Sequence, residues 1–489
     1  MEKNKASVVF TVFRITFLIL AIVGLAFLFP IVSAVVHGET KVLPAFVIPM
    51  IVSFVLGGIF FFAGKGKRSV LSTRASFVVV ALAWVSVSLF GALPMWFSRA
   101  IPSFTDAFFE SASGFSTTGA TILSEIEQIP YTYSINLWRC TTHWLGGMGI
   151  VALTVALLPI LGVGGFQLIK AETTGPEKGK LTAKITDTAK WLWFMYLGFT
   201  VLEFVLLKVA GMSLYDALCH ALATLGTGGF STRNASIGGY NSVAVDVIIT
   251  VFMFLAGINF SLYYSLIKRN FTDIKDNSEL KAYIGICFTA MILITLFEMG
   301  KYGGFFQSLR YSSFQTMSIT STTGFATDDF TTWSTASQVI ILMLFFIGGS
   351  AGSTSGGVKV IRWVVLYKIA KNEILRMLHP HGVFTLRLNK QPVKKDLGYT
   401  VVSFFFVYLC LIFITTFVGC LGKMDVFTSF TGALSMIGNI GPGFGMLGPA
   451  CNYGWLPAGV KWWYSFIMLT GRLEFYTMII FFTPSFWKK

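Results

Sequence analysis

Leu43–Gly64, Phe77–Ser98 and Gly398–Cys420 each run for at least 22 residues without a single charged side chain. A helix needs only about 20 largely apolar residues to cross the hydrocarbon core of a bilayer. Apolar runs recur near 12–36, 43–64, 70–98, 134–164, 187–210, 242–267, 281–299, 334–376, 397–420 and 457–483. Only 12% of the 489 residues are charged, about half the share usual in soluble domains. The expected fold is therefore an all-α polytopic membrane protein with ten candidate spans, held among membrane lipid. The first run, Ile15–Val36, ends in Val32-Ser33-Ala34, which resembles a signal-peptidase site. Its apolar core exceeds the usual 7–15 residues, so we read it as a retained span.

The net charge of +15 does not point to nucleic acid, because its placement follows the spans. Lys3–Arg14, Lys65–Arg74, Lys170–Lys190, Lys268–Lys281, Lys359–Lys395 and Lys488–Lys489 together hold 27 of the 37 Lys and Arg residues. They fall at alternate ends of successive spans, which places both termini in the cytoplasm. Six scattered cysteines show no CxxC or Cys/His spacing, so neither a metal site nor a disulfide scaffold is expected. The histidines are too dispersed for a metal site and read as packing residues.

Four apolar segments are too short to cross: Phe104–Gly114, Leu214–Thr224, Ser308–Ile319 and Val426–Ile437. Each leads into a tract of glycine and hydroxyl residues. SFTDAFFESASGFSTTGAT (Ser103–Thr121) overlays SLYDALCHALATLGTGGFST (Ser213–Thr232), and Asp106 and Asp216 each precede a glycine, Gly119 and Gly229, by 13 residues. YSSFQTMSITSTTGFAT (Tyr311–Thr327) and DVFTSFTGALSMIGNIGPGFG (Asp425–Gly445) continue the series. The chain thus divides into two extra N-terminal helices (1–66) and four helix–pore loop–helix repeats, 67–166, 167–272, 273–378 and 379–489. Internal repeats in a membrane protein place a binding site at their shared axis.

One Thr/Gly tract alone reads as an extracellular turn. Four, each behind a half-length helix, read differently. Irregular backbone at membrane depth is tolerated only where protein or water covers it. Glycine lets successive carbonyls turn toward one line, and rings of such oxygens replace the water around a dehydrated cation. The half-helices aim their partly negative carboxyl ends at the same axis. The candidate filter residues are Thr117, Thr118 and Gly119; Thr227, Gly228 and Gly229; Thr322, Thr323 and Gly324; and Asn439, Ile440, Gly441 and Gly443. In this topology Asp106, Glu110, Glu125, Glu127, Asp216, Asp328, Asp329 and Asp425 lie at the outer mouth. They would either concentrate cations there or be ordinary solvated loop charge.

Within the run 334–376, which is too long for one straight span, lies GGSAGSTSGGVK. Gly348, Gly349, Ser350, Ala351, Gly352, Ser353, Thr354, Ser355, Gly356 and Gly357 carry no large side chain. We expect this stretch, 348–357, to be an unwound loop inside the membrane under the third filter tract, serving as a gate, with Lys359 and Arg362 at its cytoplasmic side. A water-exposed linker is the plainer alternative. Arg472 lies inside the last span, where a charge is costly and marks a functional position. It is expected as a positive barrier below the filter, or as a structural partner of Glu474 or Glu203. An enzyme embedded in the membrane would need clustered acidic or histidine residues at one face, and none is found.

The loops resemble those of the Trk/Ktr/HKT superfamily of potassium transporters, and the chain is most similar to its bacterial TrkH-type branch. TDAFFESASGFSTTGAT, HWLGGMGIVALTVALLPILGVGGFQL (His143–Leu168), GGFSTRNASIGGY (Gly228–Tyr240), FIGGSAGSTSGGVKVIR (Phe346–Arg362), IGPGFG (Ile440–Gly445) and GRLEFYTMIIFFTPSFW (Gly471–Trp487) carry the resemblance, in that order. It implies potassium as the transported ion, no cofactor in this chain, and a homodimer with a complete pore in each protomer. It also implies a cytosolic, nucleotide-binding, TrkA-like regulatory ring, a bacterial inner-membrane location, and a gate and barrier at the loop and arginine named above. Glycine in the first loop, Gly119, goes with potassium preference. Thr227, where the family pattern leads us to expect an aliphatic residue, and Gly438, where we expect asparagine, depart from it.

Overall fold

The computed structural model describes residues 2–64, 72–149, 185–393 and 396–488. The basic groups at 65–68, 170–184 and 394–395, and most of the motif at 143–168, lie outside them.

The chain is built almost wholly from helices. Glu2–Leu25 and Leu28–Val36 form one long apolar path, followed by Leu43–Ala63 in the opposite direction. Lipid is as apolar as these side chains, so burial alone does not drive helices together, and close approach of small residues does the work. Gly24 abuts Ser53, and Gly57 abuts Ala21. The pair packs on the first repeat through Phe27, whose ring centroid stands 4.5 Å from that of Trp138. Trp138 is fully buried and donates its indole N–H to the Gly91 carbonyl at 2.9 Å.

Four units follow. Each has an outer helix, a short pore helix and an inner helix. The outer helices are Thr73–Phe97, Ile185–Val209, Ser278–Tyr302 and Asp396–Leu421. The pore helices are Phe104–Phe115, Leu214–Leu225, Phe305–Thr320 and Val426–Gly438. The inner helices are Thr132–Gly147, Val243–Ala256, Thr335–Leu344 and Ala458–Arg472. The architecture is the expected one, two N-terminal helices and four helix–pore loop–helix units in pseudo-fourfold arrangement.

The ten candidate spans, of which 334–376 is expected to be broken, are not all single helices. Among the described residues six helices are long and apolar enough to cross unaided, and two bent helix pairs have the length and composition of one span each. Val243–Ala256 turns through 91° into Phe260–Ile267, and Ala458–Arg472 through 118° into Tyr476–Phe482. The third inner helix has only 10 residues before its break. The first has 16, ending at Gly147, and the rest of the run to 164 lies outside the described residues. All four inner helices therefore stop well short of the roughly 20 residues a bilayer requires. The sequence signalled the third break, where the interruption is long and rich in glycine.

Among the described residues the only strands form a hairpin, Arg387–Leu388 with Gln391–Pro392. Asn389 and Lys390 take positive φ between them, the geometry that suits a two-residue hairpin. The Asn389 side chain accepts the Ser278 N–H at 2.9 Å, tying the hairpin to the start of the third outer helix.

Candidate functional site

Each pore helix ends in the same way. Thr117, Thr227, Thr322 and Asn439 all have φ between +52° and +58°. The next N–H, of Thr118, Gly228, Thr323 and Ile440, reaches back five residues to the carbonyl of Ser113, Ala223, Ser318 and Ser435, at 2.8–3.0 Å. This is a Schellman closure, built here on three β-branched residues and an asparagine. Threonine rarely adopts positive φ, and such positions cluster where function over-determines the backbone. Thr227, unexpected from the family pattern, stands in register with Thr117 and Thr322. The asparagine sought at 438 occupies the equivalent position one residue later, at 439.

Two residues beyond each of these positions is a glycine with positive φ: Gly119, Gly229, Gly324 and Gly441. A methyl group placed on Gly119 would stand 2.0 Å from the Gly228 carbonyl oxygen. One on Gly229 would stand 2.1 Å from that of Thr323, one on Gly324 2.1 Å from that of Ile440, and one on Gly441 2.7 Å from that of Thr118. Each loop thus presses its glycine against the next loop's backbone, and the fourth closes on the first. The four carbonyls, of Thr118, Gly228, Thr323 and Ile440, accept no hydrogen bond from the described residues. Buried carbonyls are otherwise nearly always paired, so a ring of four free ones is a ready coordination site for a cation.

All four glycines also line one vestibule of about 720 Å³. Gly443 is not part of the ring. Its N–H is bonded to Leu447, and a methyl group there would meet no atom closer than 3.3 Å. Gly441 holds the equivalent place, with its own carbonyl taken by Ser435 Oγ at 2.8 Å and Tyr453 OH at 2.6 Å.

The acidic residues around the mouth are not free charges. Asp106 binds Lys461 at 2.6 Å, Glu110 binds Arg139 at 2.7 Å, and Glu127 faces Arg233 at 3.6 Å. Glu125 accepts from Asn234. Asp216 accepts from Ser213 and Thr232. Its pKa is lowered: burial pushes it up, but the hydrogen bonds from Thr232 and Ser213 outweigh that. Asp328 is bound by Tyr302, Trp333 and Lys301. Asp425 caps the fourth pore helix and Asp329 a short turn. Their main service is to fix the outer loops.

Below the ring, the segment 345–359 leaves the helix and passes under the third and fourth loops. Gly356 donates its N–H to Thr322 Oγ1 at 2.6 Å, and a methyl group on Gly356 would collide with the Gly438 carbonyl at 2.6 Å. The segment closes on itself where Gly348 N–H meets the Val358 carbonyl. It is held from the side by Gly257, whose carbonyl accepts Ser350 N–H, and by Phe260, whose N–H binds the Gly352 carbonyl. Glu279, unremarked in the sequence, accepts the N–H of Ala351 at 2.7 Å and of Ile361 at 3.1 Å. Its 72-residue separation from Ala351 left no local signal. Ser353 Oγ donates to Ser350, and Thr354 Oγ1 to Ala256.

Arg472 ends the fourth inner helix and donates to the Thr354 carbonyl at 2.7 Å and to those of Gly146 and Gly147 at 2.6 Å each. It clasps the loop to the carboxyl end of the first inner helix, where a cation is favoured. Of the carboxylates considered as its partner, Glu474 is bound by Arg362, and Glu203 lies beside Thr224. Lys359 and Arg362, expected at the cytoplasmic side near a partner, are buried. Lys359 turns back onto the Ser355 carbonyl, and Arg362 lies 3.7 Å over the Phe404 ring. No group of His, Cys, Asp and Glu suited to a metal ion occurs among the described residues.

This geometry agrees with what the chain is similar to. Residues 42–489 match the family described as "TrkH: Cation transport protein". Among curated relatives, the "Trk system potassium uptake protein TrkH" of Escherichia coli K12 is 37% identical over 91% of this chain and 92% of its own. The protein of the same name in Halomonas elongata is 36% identical over 98% and 99%. The crystal structure of the potassium transporter TrkH from Vibrio parahaemolyticus superposes with a TM-score of 0.86 at 32% identity, covering 98% of this chain and 99% of that one. The chain therefore belongs to the TrkH family of cation transport proteins.

Proposed function

We propose that this protein carries potassium into the cell across the bacterial inner membrane, with both termini in the cytoplasm. The ion passes through a filter made by the loops around Gly119, Gly229, Gly324 and Gly441. The observation that carries the proposal is the closed ring of four carbonyls without hydrogen-bond partners. Potassium is larger and more weakly hydrated than sodium, so oxygens held apart by backbone-to-backbone contact replace its water at lower cost. Rubidium-tracer uptake into liposomes holding the purified protein tests this. Potassium should compete and sodium should not, and Gly119→Ser should weaken the distinction. Equal competition by sodium would refute it.

The segment 348–357 acts as the gate, because it lies under the ring, bonded to Thr322 and clasped by Arg472. Deleting part of Gly349–Gly356 should raise flux, and unchanged or lower uptake counts against it. The full assembly in this reading is a homodimer, each protomer with its own pore, controlled by a cytosolic nucleotide-binding ring. Exposed apolar residues at the end of the helix Val360–Leu378, notably Met377 and Leu378, support a docking surface there. Coupled symport with protons or sodium through the same pore is the second reading, favoured by the buried carboxylate Glu203 beside the second pore helix. Reversal potentials in planar bilayers separate the two.

A further inference from the structure

Glu110 and Arg139 form an ion pair with 0% and 1% of their side chains exposed, Nε to Oε1 at 2.7 Å. Removing two charges from solvent costs several kcal/mol per ion, so a buried pair is a weak source of stability and its contacts point to another role.

Those contacts fall on the backbone just past the filter. Glu110 accepts from Thr121 Oγ1 at 2.8 Å and from Ile122 N–H at 3.0 Å, both in the strand leaving loop one. Arg139 donates to Thr121 Oγ1 at 3.2 Å and to the Ser231 carbonyl of loop two at 3.4 Å. Its guanidinium also lies 4.1 Å over the Phe230 ring. One charged pair therefore joins the exits of two neighbouring loops.

Glu110 sits nine residues before Gly119. The same place in the other repeats is held by His220, Gln315 and Gly432. His220 Nδ1 must donate to the Asp216 carbonyl, so its Nε2 accepts from Ser231 Oγ at 2.9 Å. Ser231 stands two residues past its glycine, as Thr121 does. Gln315 donates to the Asp328 carbonyl at 2.8 Å. Gly432 has no side chain, and there Tyr453 OH holds Gly441 instead. At this position the first three pore helices thus have a polar tie to the segment beyond their filter, and only the first is an ion pair that spans two loops.

We propose that Glu110 and Arg139 are positioning residues for ion selectivity. They brace loops one and two at a fixed separation and so set the width of the carbonyl ring without touching the ion. The inference rests on the reading of the four loops as a potassium filter.

The test is the ratio of rubidium to sodium tracer uptake in proteoliposomes, per mole of folded protein, for Glu110→Gln, Thr121→Val and, as reference, Gly119→Ser. Loss of one charge-assisted hydrogen bond corresponds to about a tenfold change in equilibrium. The ratio should fall by about that much in Glu110→Gln and by less in Thr121→Val. A merely structural pair would lower uptake of both ions alike and leave the ratio intact. If Glu110→Gln does not fold, Thr121→Val, nearly isosteric and uncharged, decides. An unchanged ratio in the brace variants beside an altered one in Gly119→Ser overturns the brace and spares the filter. An unchanged ratio in all three overturns both.

Discussion

The ring makes a sharp prediction at Gly119. Replacing it with alanine would put a methyl carbon 2.0 Å from the Gly228 carbonyl oxygen. Non-bonded carbon contacts settle near 3.5 Å, so loop two would have to retreat by about 1.5 Å. No flexible side chain can absorb this, because both sides of the contact are backbone. The residue would also be held at φ +77°, which costs an L-residue roughly 1–2 kcal/mol. A total near 2 kcal/mol taken from ion coordination corresponds to about a 30-fold loss of affinity. Rubidium uptake should therefore fall by that order, with the protein still folded by size-exclusion profile.

Gly443→Ala is the control. Its nearest contact would be 3.3 Å, to the Leu447 side chain, which needs to give by only a few tenths of an ångström, and uptake should stay within about twofold. Full activity in Gly119→Ala, or equal loss in both variants, would refute the assignment of Gly441 to the ring and the ring itself.

Other consequences follow from the lower half of the pore. Thr322→Val removes the hydroxyl that accepts Gly356 N–H. Leaving a buried donor unpaired costs about 1–3 kcal/mol, so basal rubidium flux should rise without loss of selectivity, and a drop in flux would contradict it. Arg472→Ala frees three carbonyls on two elements and should raise flux at least several-fold, given about 1.5–3 kcal/mol per charged hydrogen bond. Unaltered flux would remove the barrier role.

Asp425→Ala deletes the cap of the fourth pore helix and should cost about 1 kcal/mol of thermal stability. Hydrogen bonds from the Thr428 side chain and backbone hold the Asp425 pKa below its ordinary value. The stabilisation is therefore complete above the unfolded carboxylate range, near 4, and is lost as pH falls through the lower folded value. The melting-temperature gap between wild type and variant should be constant from pH 7 to 5 and close under acid conditions. A gap that instead widened in acid would contradict the cap.

The filter was legible because its needs are local. Positive φ calls for glycine, and a helix that stops mid-membrane calls for a hydroxyl-rich closure, so both appear in the letters. At the fourth loop the sequence offers both Gly441 and Gly443. Gly119 and Gly229 stand 13 residues after Asp106 and Asp216, but Asp425 is not the counterpart of those two aspartates. It is the N-cap, matching Ser103 and Ser213, and each of these three caps precedes its ring glycine by 16 residues. The bends in the second and fourth inner helices were not legible. They depend on Gly257 and Gly471 meeting a side chain or backbone of other elements, and a lone glycine in an apolar run carries no such message. The clasp of Arg472 on Thr354 and the hold of Glu279 on Ala351 are long-range contacts between residues whose types alone name no partner.

If the loops are the filter and 348–357 the gate, as proposed, the two are not separate devices. Thr322 supplies the positive-φ turn of loop three with its backbone and binds the gating segment with its hydroxyl. Asn439 does the same turn in loop four and donates its amide to Thr118 Oγ1 at 2.9 Å and to the Met468 carbonyl at 2.8 Å. The fourth inner helix, which carries Met468, ends at Arg472, which grips the segment from the other side. Moving the segment therefore strains a turn of the ring at one end and the inner helix bonded to another turn at the other. Because each ring glycine is in contact with the next loop, a shift at loop three cannot stay there. On the proposed reading, opening the path and relaxing the filter are coupled through Thr322, whose hydroxyl binds the segment, and Asn439, which joins loop one to the inner helix.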